Sequence, residues 1–356
     1  MSTSSTVVIA MSGGVDSSVA AALLVKQGYR VIGMMMRLWS EPGAEASNRC
    51  CTPEAMALAR RVAARLSIPF YAIDAQQVFY DTVVKQFIDG YAQHITPNPC
   101  LTCNRFIRWE FLLNKALDLG ADYLATGHYA RLNHHPTGSY FLQRGLDSAK
   151  DQSYVLHVLS QEQLKHALFP LGDLTKTQVR ELARQFELPV ADRPESQDLC
   201  FLGQADYRDF LRRYAPATHT TGPILDRHGN QLGEHQGLAF HTIGQRKGLR
   251  IAAPQPLYVI DKDPIHNALI VGVAAELGKD TLIAGQVNWI SGAPPSAPFR
   301  AQIKIRYKAS LEPGLVTILP EQQIHIQFDH KIRDITPGQA AVLYDGDICL
   351  GGGLIW

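Results

Sequence analysis

Short apolar runs alternate with amphipathic stretches through the first half of the chain. TVVIAM at 6–11, RVIGMMM at 30–36, FYAID at 70–74 and YLATG at 123–127 have the length and content of buried strands. Between them lie helical stretches. SVAAALLVKQ reads as a helix stopped by Gly28. Thr52 can cap a second helix, with Pro53 at its first position, running to about Leu66. Trp109, Leu112, Leu113, Ala116 and Leu117 recur at one helical face, which predicts a helix from near Cys103 to Gly120. TKTQ at 175–178 has the capping-box pattern and opens a helix to about Glu187. This alternation predicts a parallel sheet with helices on both faces.

The pattern changes after about Ala205. Glycine, proline and short β runs such as LYVID and ALIVGV take over. From about Leu282 the chain alternates apolar and polar residues, as in AQIKIRY and IHIQF. AVLYDGDICL reads as a hairpin around Asp345-Gly346. Boundaries are therefore expected near 205 and 282. The first sheet looks complete without the rest and is expected to fold alone.

A chain of 356 residues has room for two or three cores. Its formal net charge is +1, so a polyanionic partner would have to meet a local basic patch. Three clusters offer one: Arg246, Lys247 and Arg250; Lys304, Arg306 and Lys308, expected on one strand face; and Arg212-Arg213. No apolar run reaches the roughly 18 residues of a membrane span. The opening MSTSST lacks the charged region of a signal peptide. The expectation is a cytoplasmic protein without a membrane partner, whose six cysteines are reactive or metal-bound rather than structural disulfides.

The segment SGGVDSS at 12–18 directly follows the first strand and opens the first helix. Gly13 and Gly14 let the backbone turn tightly and approach a ligand. The helix N-terminus supplies unpaired N–H groups and a positive dipole end. Ser12, Ser17 and Ser18 add hydroxyls. No lysine follows the glycines, so this is not the G-x-x-x-x-G-K-[ST] loop. It matches the SGGxDS loop of the ATP pyrophosphatase (PP-loop) superfamily. Those enzymes grip the β- and γ-phosphates while a substrate oxygen attacks the α-phosphate, giving an adenylated substrate and pyrophosphate. Met36 and Gly127 end or follow strands of the same sheet, where ligands of open parallel sheets bind.

An adenylated oxygen needs a nucleophile. Cys103 lies at the expected start of a helix, with Arg105 and Arg108 close by, a setting that favours thiolate. The preceding TPNP reads as a rigid, non-helical loop. Cys200 sits in PESQDLCFLG, a loop without periodicity. Two loop cysteines fit sulfur transfer; two inert buried thiols are the alternative. Cys50-Cys51 is given no role, and Cys349 is expected in the core. A four-cysteine zinc site would need a second C-x-x-C pair, which is absent from the sequence.

Together with MSGGVDSS, the blocks TPNPxxxCN, GADYLATGHYAR, LDSAKDQSYVL, CFLG, GEHQGLAFHTIGQRKGL, VIDKD and TPGQAAVLYDGDICLGGG resemble the bacterial tRNA-specific 2-thiouridylases over nearly the whole chain. The resemblance implies an α/β fold: an N-terminal parallel-sheet adenine-nucleotide-binding domain at 1–205, a small β-rich central domain at 206–281 that contacts tRNA, and a C-terminal antiparallel β-barrel at 282–356. It implies that ATP, with Mg2+, adenylates O2 of the wobble uridine U34, and that sulfur then reaches C2. Met11, Ser12, Gly13, Gly14, Val15, Asp16, Ser17, Ser18, Met36 and Gly127 would contact ATP. Cys103 would be the nucleophile and Cys200 the persulfide carrier, charged by a sulfur-carrier or cysteine desulfurase relay. Asn98, Pro99 and Cys100 would lie beside the target base. His128, Lys150, Asp151, Gln152, Arg306, Tyr307 and Gln339 would hold the anticodon stem-loop.

One position departs from the family's best-known members, which carry Asp where this chain has Cys100. Cys100, Cys103 and Cys200 could then converge on a [4Fe–4S] cluster with one iron open, as in some other tRNA thiolases of the superfamily. Two competing functions use the same loop: a small-molecule amidating ligase, and a non-catalytic tRNA-binding protein. Whether pyrophosphate release depends on unmodified tRNA separates all three.

Overall fold

The structure is a computed structural model that describes residues 5–43, 52–135, 138–194, 199–203 and 206–356. Cys50 and Cys51 lie outside the described residues. Five parallel strands form the first sheet: β1 (Thr6–Ala10), β2 (Arg30–Arg37), β3 (Phe70–Asp74), β4 (Tyr123–Ala125) and the short Ala167–Leu168, with β1 central between β2 and β4. Val7, Val8 and Ile9 are fully buried, because helices cover both faces of this strand. Helix α1 (Val15–Lys26) follows β1, and α2 (Pro53–Arg65) is capped by Thr52, whose side chain accepts from Ala55 N. The capping box of Thr175 and Gln178 forms as its pattern predicts.

The helix carrying Cys103 starts earlier than its periodicity predicts. It spans 99–118, with Pro99 at its first position and Asn98 as cap, the Asn98 Oδ1 accepting from Cys100 N at 3.2 Å. Proline is tolerated there because a first-turn N–H has no intrahelical partner anyway. Its middle, Cys103–Leu112, is widened to π geometry, an irregularity that often marks functional sites. The TPNP segment is therefore a loop only up to its asparagine.

Beyond residue 206 a four-stranded sheet joins Gly222–Leu225, Gln231–His235, Tyr258–Asp263 and Ala268–Gly272 over a core of Ile224, Val259, Leu269 and Val271. Six antiparallel strands follow, from Lys279–Trp289 to Ile348–Ile355. The first pairs with the last, closing a barrel and leaving no free edge between them.

This barrel is not separate from the first sheet. A hairpin of Ala130–His134 and Tyr140–Arg144 extends it through Gln143–Ile348 and Leu142–Cys349 pairing. Val8, Trp109, Tyr154, Val342 and Tyr344 share one core. Tyr154 donates to Ala340 O at 3.1 Å, and Ser153 Oγ lies 3.0 Å from Tyr344 Oη. Two of the three basic clusters also differ from expectation. The strand Phe299–Lys304 stops before Arg306, so Lys304, Arg306 and Lys308 do not share a strand face. Arg212 pairs with Asp209 at 2.7 Å and Arg213 forks onto Glu41 at 2.6 and 2.8 Å. Arg246, Lys247 and Arg250 stay exposed, the two arginines lining a groove of about 400 Å³.

Candidate active site

The phosphate loop joins β1 to α1 with Gly14 as the cap residue of α1. Gly13 has φ +68, and a Cβ there would run into the Ala55 carbonyl of α2. The loop is held open by its own serines. Ser17 Oγ accepts from Ser12 N at 3.2 Å, and Ser18 Oγ donates to Gly14 O at 2.7 Å. Gly127 faces the loop from the end of β4: a Cβ there would sit 2.8 Å from Ser17 N and 3.0 Å from Asp16 C. Gly13 and Gly127 thus let the loop pack tightly against α2 and the end of β4, and the first-turn N–H groups of α1 are the kind of donors that suit a nucleotide's phosphates. Met11 and Val15 are buried under the loop, Met11 N donating to Met34 O at 2.7 Å. Met36, near the carboxyl end of β2, is half-buried against the apolar clusters on either side.

Three further side chains close on this loop. Asp16 Oδ1 accepts from Tyr129 Oη at 2.8 Å and from Lys176 Nζ at 2.7 Å. Arg193 Nη1 donates to Gly13 O at 2.6 Å. The cationic groups that the loop itself lacks come from distant segments. Lys176 had a local signal, the capping box, but that signal speaks only of the helix start.

Cys103 and Cys200 border one apolar cluster. It holds Leu38 and Ala75, which follow the carboxyl ends of β2 and β3, together with Phe79, Phe87, Phe201, Phe210 and Phe240. Cys103 is 9% exposed and Cys200 half-buried. Cys100, in the first turn of the helix, is exposed. The three thiols do not fit a cluster site. Among the described residues no three Cys, His, Asp or Glu side chains are grouped to hold a metal ion, and all three thiols are described. Cys100 is exposed, whereas Cys103 is buried in the apolar cluster.

The residues expected at the RNA are mostly engaged with the protein. His128 is 4% exposed. Its Nε2 lies 3.1 Å from Arg108 Nη1 and its Nδ1 2.7 Å from Thr126 Oγ1. An arginine can only donate, so Nε2 accepts and Nδ1–H donates to the threonine. Burial first and Arg108 second hold this imidazole well below its usual range, hence neutral. Asp151 is buried and accepts from Gly145 N, Ser153 N and Ser153 Oγ at 3.0–3.1 Å. Gln152 Oε1 accepts from Tyr129 N at 3.0 Å. Arg306 donates to Ile243 O at 3.0 Å and to Thr336 Oγ1. Gln339 Nε2 donates to Thr96 O at 2.9 Å, tying the barrel to the approach of Asn98-Pro99-Cys100. In this conformation His128 and Asp151 are interior residues and present no surface to an RNA. Lys150 and Tyr307 are half-buried.

No helix among the described residues is long and apolar enough to cross a membrane. Three family profiles match in succession: a tRNA methyl transferase HUP domain over 5–204, a tRNA methyl transferase PRC-barrel domain over 208–273, and an aminomethyltransferase β-barrel domain over 279–355. Among curated relatives, the tRNA-specific 2-thiouridylase MnmA of Natranaerobius thermophilus is 47% identical, over 100% of this chain and 98% of its own. The proteins of the same name from Magnetococcus marinus and Clostridioides difficile are 48% and 45% identical, over 98% of this chain and 98% and 97% of their own. Among solved structures, a 4-thiouridine synthetase with RNA and ATP aligns at 16% identity and a TM-score of 0.37, over 60% of this chain and 50% of its own. That likeness is too partial to bear on function.

Proposed function

The chain belongs to the tRNA-specific 2-thiouridylases, and from that premise we propose how its residues divide the reaction. Membership sets aside the amidating ligase and the non-catalytic binder. It also resolves the methyl-transferase wording of the family profiles, since methyl transfer has no use for a phosphate cradle. We place the reaction in the cytoplasm, with the anticodon stem-loop of tRNA as substrate.

ATP binds with its β- and γ-phosphates on the loop 12–18 and its adenine towards Met36. Lys176 and Arg193 neutralise phosphate charge. Asp16, already oriented by Tyr129, is the carboxylate to hold Mg2+, an ion that takes one or two carboxylates plus phosphate oxygens. O2 of the uridine attacks the α-phosphorus and pyrophosphate leaves. The target base lies beside Asn98, Pro99 and Cys100, extruded from its stack, since the strand ends cannot reach into a stacked loop. Lys150, Tyr307 and the groove of Arg246 and Arg250 meet the RNA backbone.

Sulfur arrives as a persulfide on Cys200. Its outer sulfur bonds to C2 as the C2–O2 bond breaks and AMP leaves. The Cys103 thiolate then attacks Cys200 Sγ. The S–S bond breaks, the thiocarbonyl stays on the base, and a Cys103–Cys200 disulfide forms that an external thiol reductant reopens. The observation that carries this assignment is the single apolar cluster that Cys103 and Cys200 both border, beyond the carboxyl ends of β2 and β3.

The test is a pair of assays on one set of variants. Wild type should release pyrophosphate from ATP only when unmodified tRNA is present. Cys103→Ser and Cys200→Ser should keep that release and lose thiolation from a persulfide donor. Release of ADP and phosphate, or thiolation surviving in Cys200→Ser, would sink the reading.

A further inference from the structure

Five basic side chains meet where the helical segment ending at residue 92 approaches the central sheet. Lys262, on the strand Tyr258–Asp263, donates its Nζ to His94 O at 3.0 Å. His235 and His241 lie with ring centroids 6.0 Å apart. The charge of Lys262 acts on both His94 and His241, and that of Arg208, from the helix Tyr207–Tyr214, acts on His241. One of the three imidazoles is committed. His235 Nδ1 accepts from Gly237 N at 3.0 Å, so Nε2 carries the proton and donates to Asn267 O at 2.9 Å.

The others are not. His94 Nδ1, His241 Nδ1 and Arg208 Nε are buried and have no hydrogen-bond partner, and His241 is only 7% exposed. Buried polar atoms are nearly always satisfied, so three orphans in one place ask for a shared partner. Of the carboxylates on the same segments, Asp206 acts on the Tyr91 and Tyr207 phenols, and none acts on His94, His241 or Lys262. Asp206 Oδ1 accepts from Arg208 N at 2.8 Å, and Asp261 Oδ1 from Lys262 N at 2.9 Å. Tyr91 and Tyr207, stacked at 5.1 Å, pack here as well; burial pushes both phenols up, so they stay neutral. Burial alone pushes the Lys262 ammonium down to about 8, with no acid to counter it.

We propose that this cluster is a binding site for a phosphate-type oxyanion, received by Lys262, Arg208 and the Nδ1 edges of His94 and His241. A metal ion is excluded by chemistry: a lysine and an arginine would face it with their positive ends. A single water would satisfy an orphan or two but would leave the positive charge unbalanced. An oxyanion offers several acceptor oxygens and the missing negative charge together. The ligand is either a phosphodiester of the bound RNA or free orthophosphate.

Binding must also take up protons. Burial holds His94 and His241 below the usual imidazole range, His241 down to about 4. An anion favours their charged forms and raises both, so affinity rises as pH falls.

The experiment uses the full chain with the phosphate loop saturated by a non-hydrolysable ATP analogue, so that orthophosphate cannot bind there. Imidazole NMR signals of His94 and His241 are followed as orthophosphate is added at pH 6.5 and pH 8. Saturable shifts of both signals, with binding about tenfold tighter at the lower pH, are expected for the free anion. Lys262→Met should abolish them, while Cys103→Ser leaves them unchanged. In a second arm, the affinity of unmodified tRNA is measured against salt. If an RNA phosphodiester fills the site, Lys262→Met lowers the slope of log K on log salt by about one. Should Lys262→Met fail to fold, His241→Phe, which removes an orphan atom rather than a charge, gives both readings: weaker orthophosphate binding and weaker tRNA binding. A response in either arm supports the site and identifies its source. If orthophosphate leaves both histidines unmoved and tRNA binding keeps its slope and strength, the cluster is a water-filled contact and the proposal is wrong.

Discussion

Gly127 shows how far a single residue can be read. Its place after an apolar strand already puts it at the ligand end of the sheet. What the string cannot show is that its missing Cβ is the gap in which the backbone of Asp16 and Ser17 sits. Gly127→Ala must push backbone, not a flexible side chain. We expect a loss of about 1–3 kcal/mol in stability, the usual cost of overpacking, and a larger fall in ATP binding than in tRNA binding. Nucleotide titration and thermal unfolding measure the two. Tyr129, Lys176 and Arg193 were less legible, because each reaches the loop from a segment far away in sequence. Lys176→Ala should slow pyrophosphate release while leaving tRNA affinity nearly unchanged. A buried imidazole makes a pH prediction. Burial pushes His157 down to about 4, against the hydrogen bond it donates to Tyr154 O, from an ordinary value of 6.5. The unfolded chain therefore binds more protons below about pH 6.5. Stability is fully present above that pH and is lost as pH falls towards 4, by on the order of 3 kcal/mol for this one group. His157→Gln should flatten the stability curve between pH 6.5 and 4.

At the scale of elements, strands and capped helices followed their sequence signals, since those signals are local. β1, β2 and β3 sit where their apolar runs predict. Expectation and structure part where a local rule has two readings. Proline reads as a helix breaker, yet at a first position it begins one, so the helix with Cys103 starts at Pro99 and Cys100 occupies its first turn. That moves Cys103 one turn inward, into the apolar cluster, and leaves Cys100 outside. KIRYK alternates as a strand does, but pairing partners run out at Lys304. The cap is testable. Asn98→Ala removes the acceptor of Cys100 N and should cost about 1 kcal/mol. Because the same residue sits at the expected target base, thiolation should fall more than this stability loss explains. Asn98→Asp keeps the cap and should restore stability, separating the two effects by thermal unfolding and single-turnover thiolation.

The whole molecule departs most from its sequence. Composition shifts near 205 and 282 suggest three bodies strung in order, and strand pairing across a fold leaves no trace in local pattern. The structure instead sews the barrel to the first sheet. The hairpin of Ala130–His134 and Tyr140–Arg144 extends a sheet whose other strands lie beyond residue 279, and Trp109 and Tyr154 share a core with Val342 and Tyr344. Gln339 reaches back to Thr96 O beside the helix with both C-x-x-C cysteines, and Thr96 N donates to Pro337 O at 2.9 Å. On this ground we expect, against the reading of an independent first domain, that residues 1–205 do not fold alone. A chain cut after 205 would leave the strand Tyr140–Arg144 as an unpaired edge and strip the apolar cover from Tyr154, exposing a large patch that invites aggregation. We expect that fragment to be insoluble, or to melt far below the full chain, and to bind ATP weakly despite an intact loop sequence. Adding residues 206–356 as a separate polypeptide should rescue solubility and ATP binding if the shared core is the cause. A fragment that is folded, monomeric and ATP-competent alone would show that the barrel is only docked. The same coupling predicts a part for the barrel in catalysis, through the position of the segment before Asn98. Gln339→Ala should loosen the segment before Asn98 and lower the thiolation rate, with tRNA affinity changed little, which a comparison of single-turnover rates with binding constants would resolve.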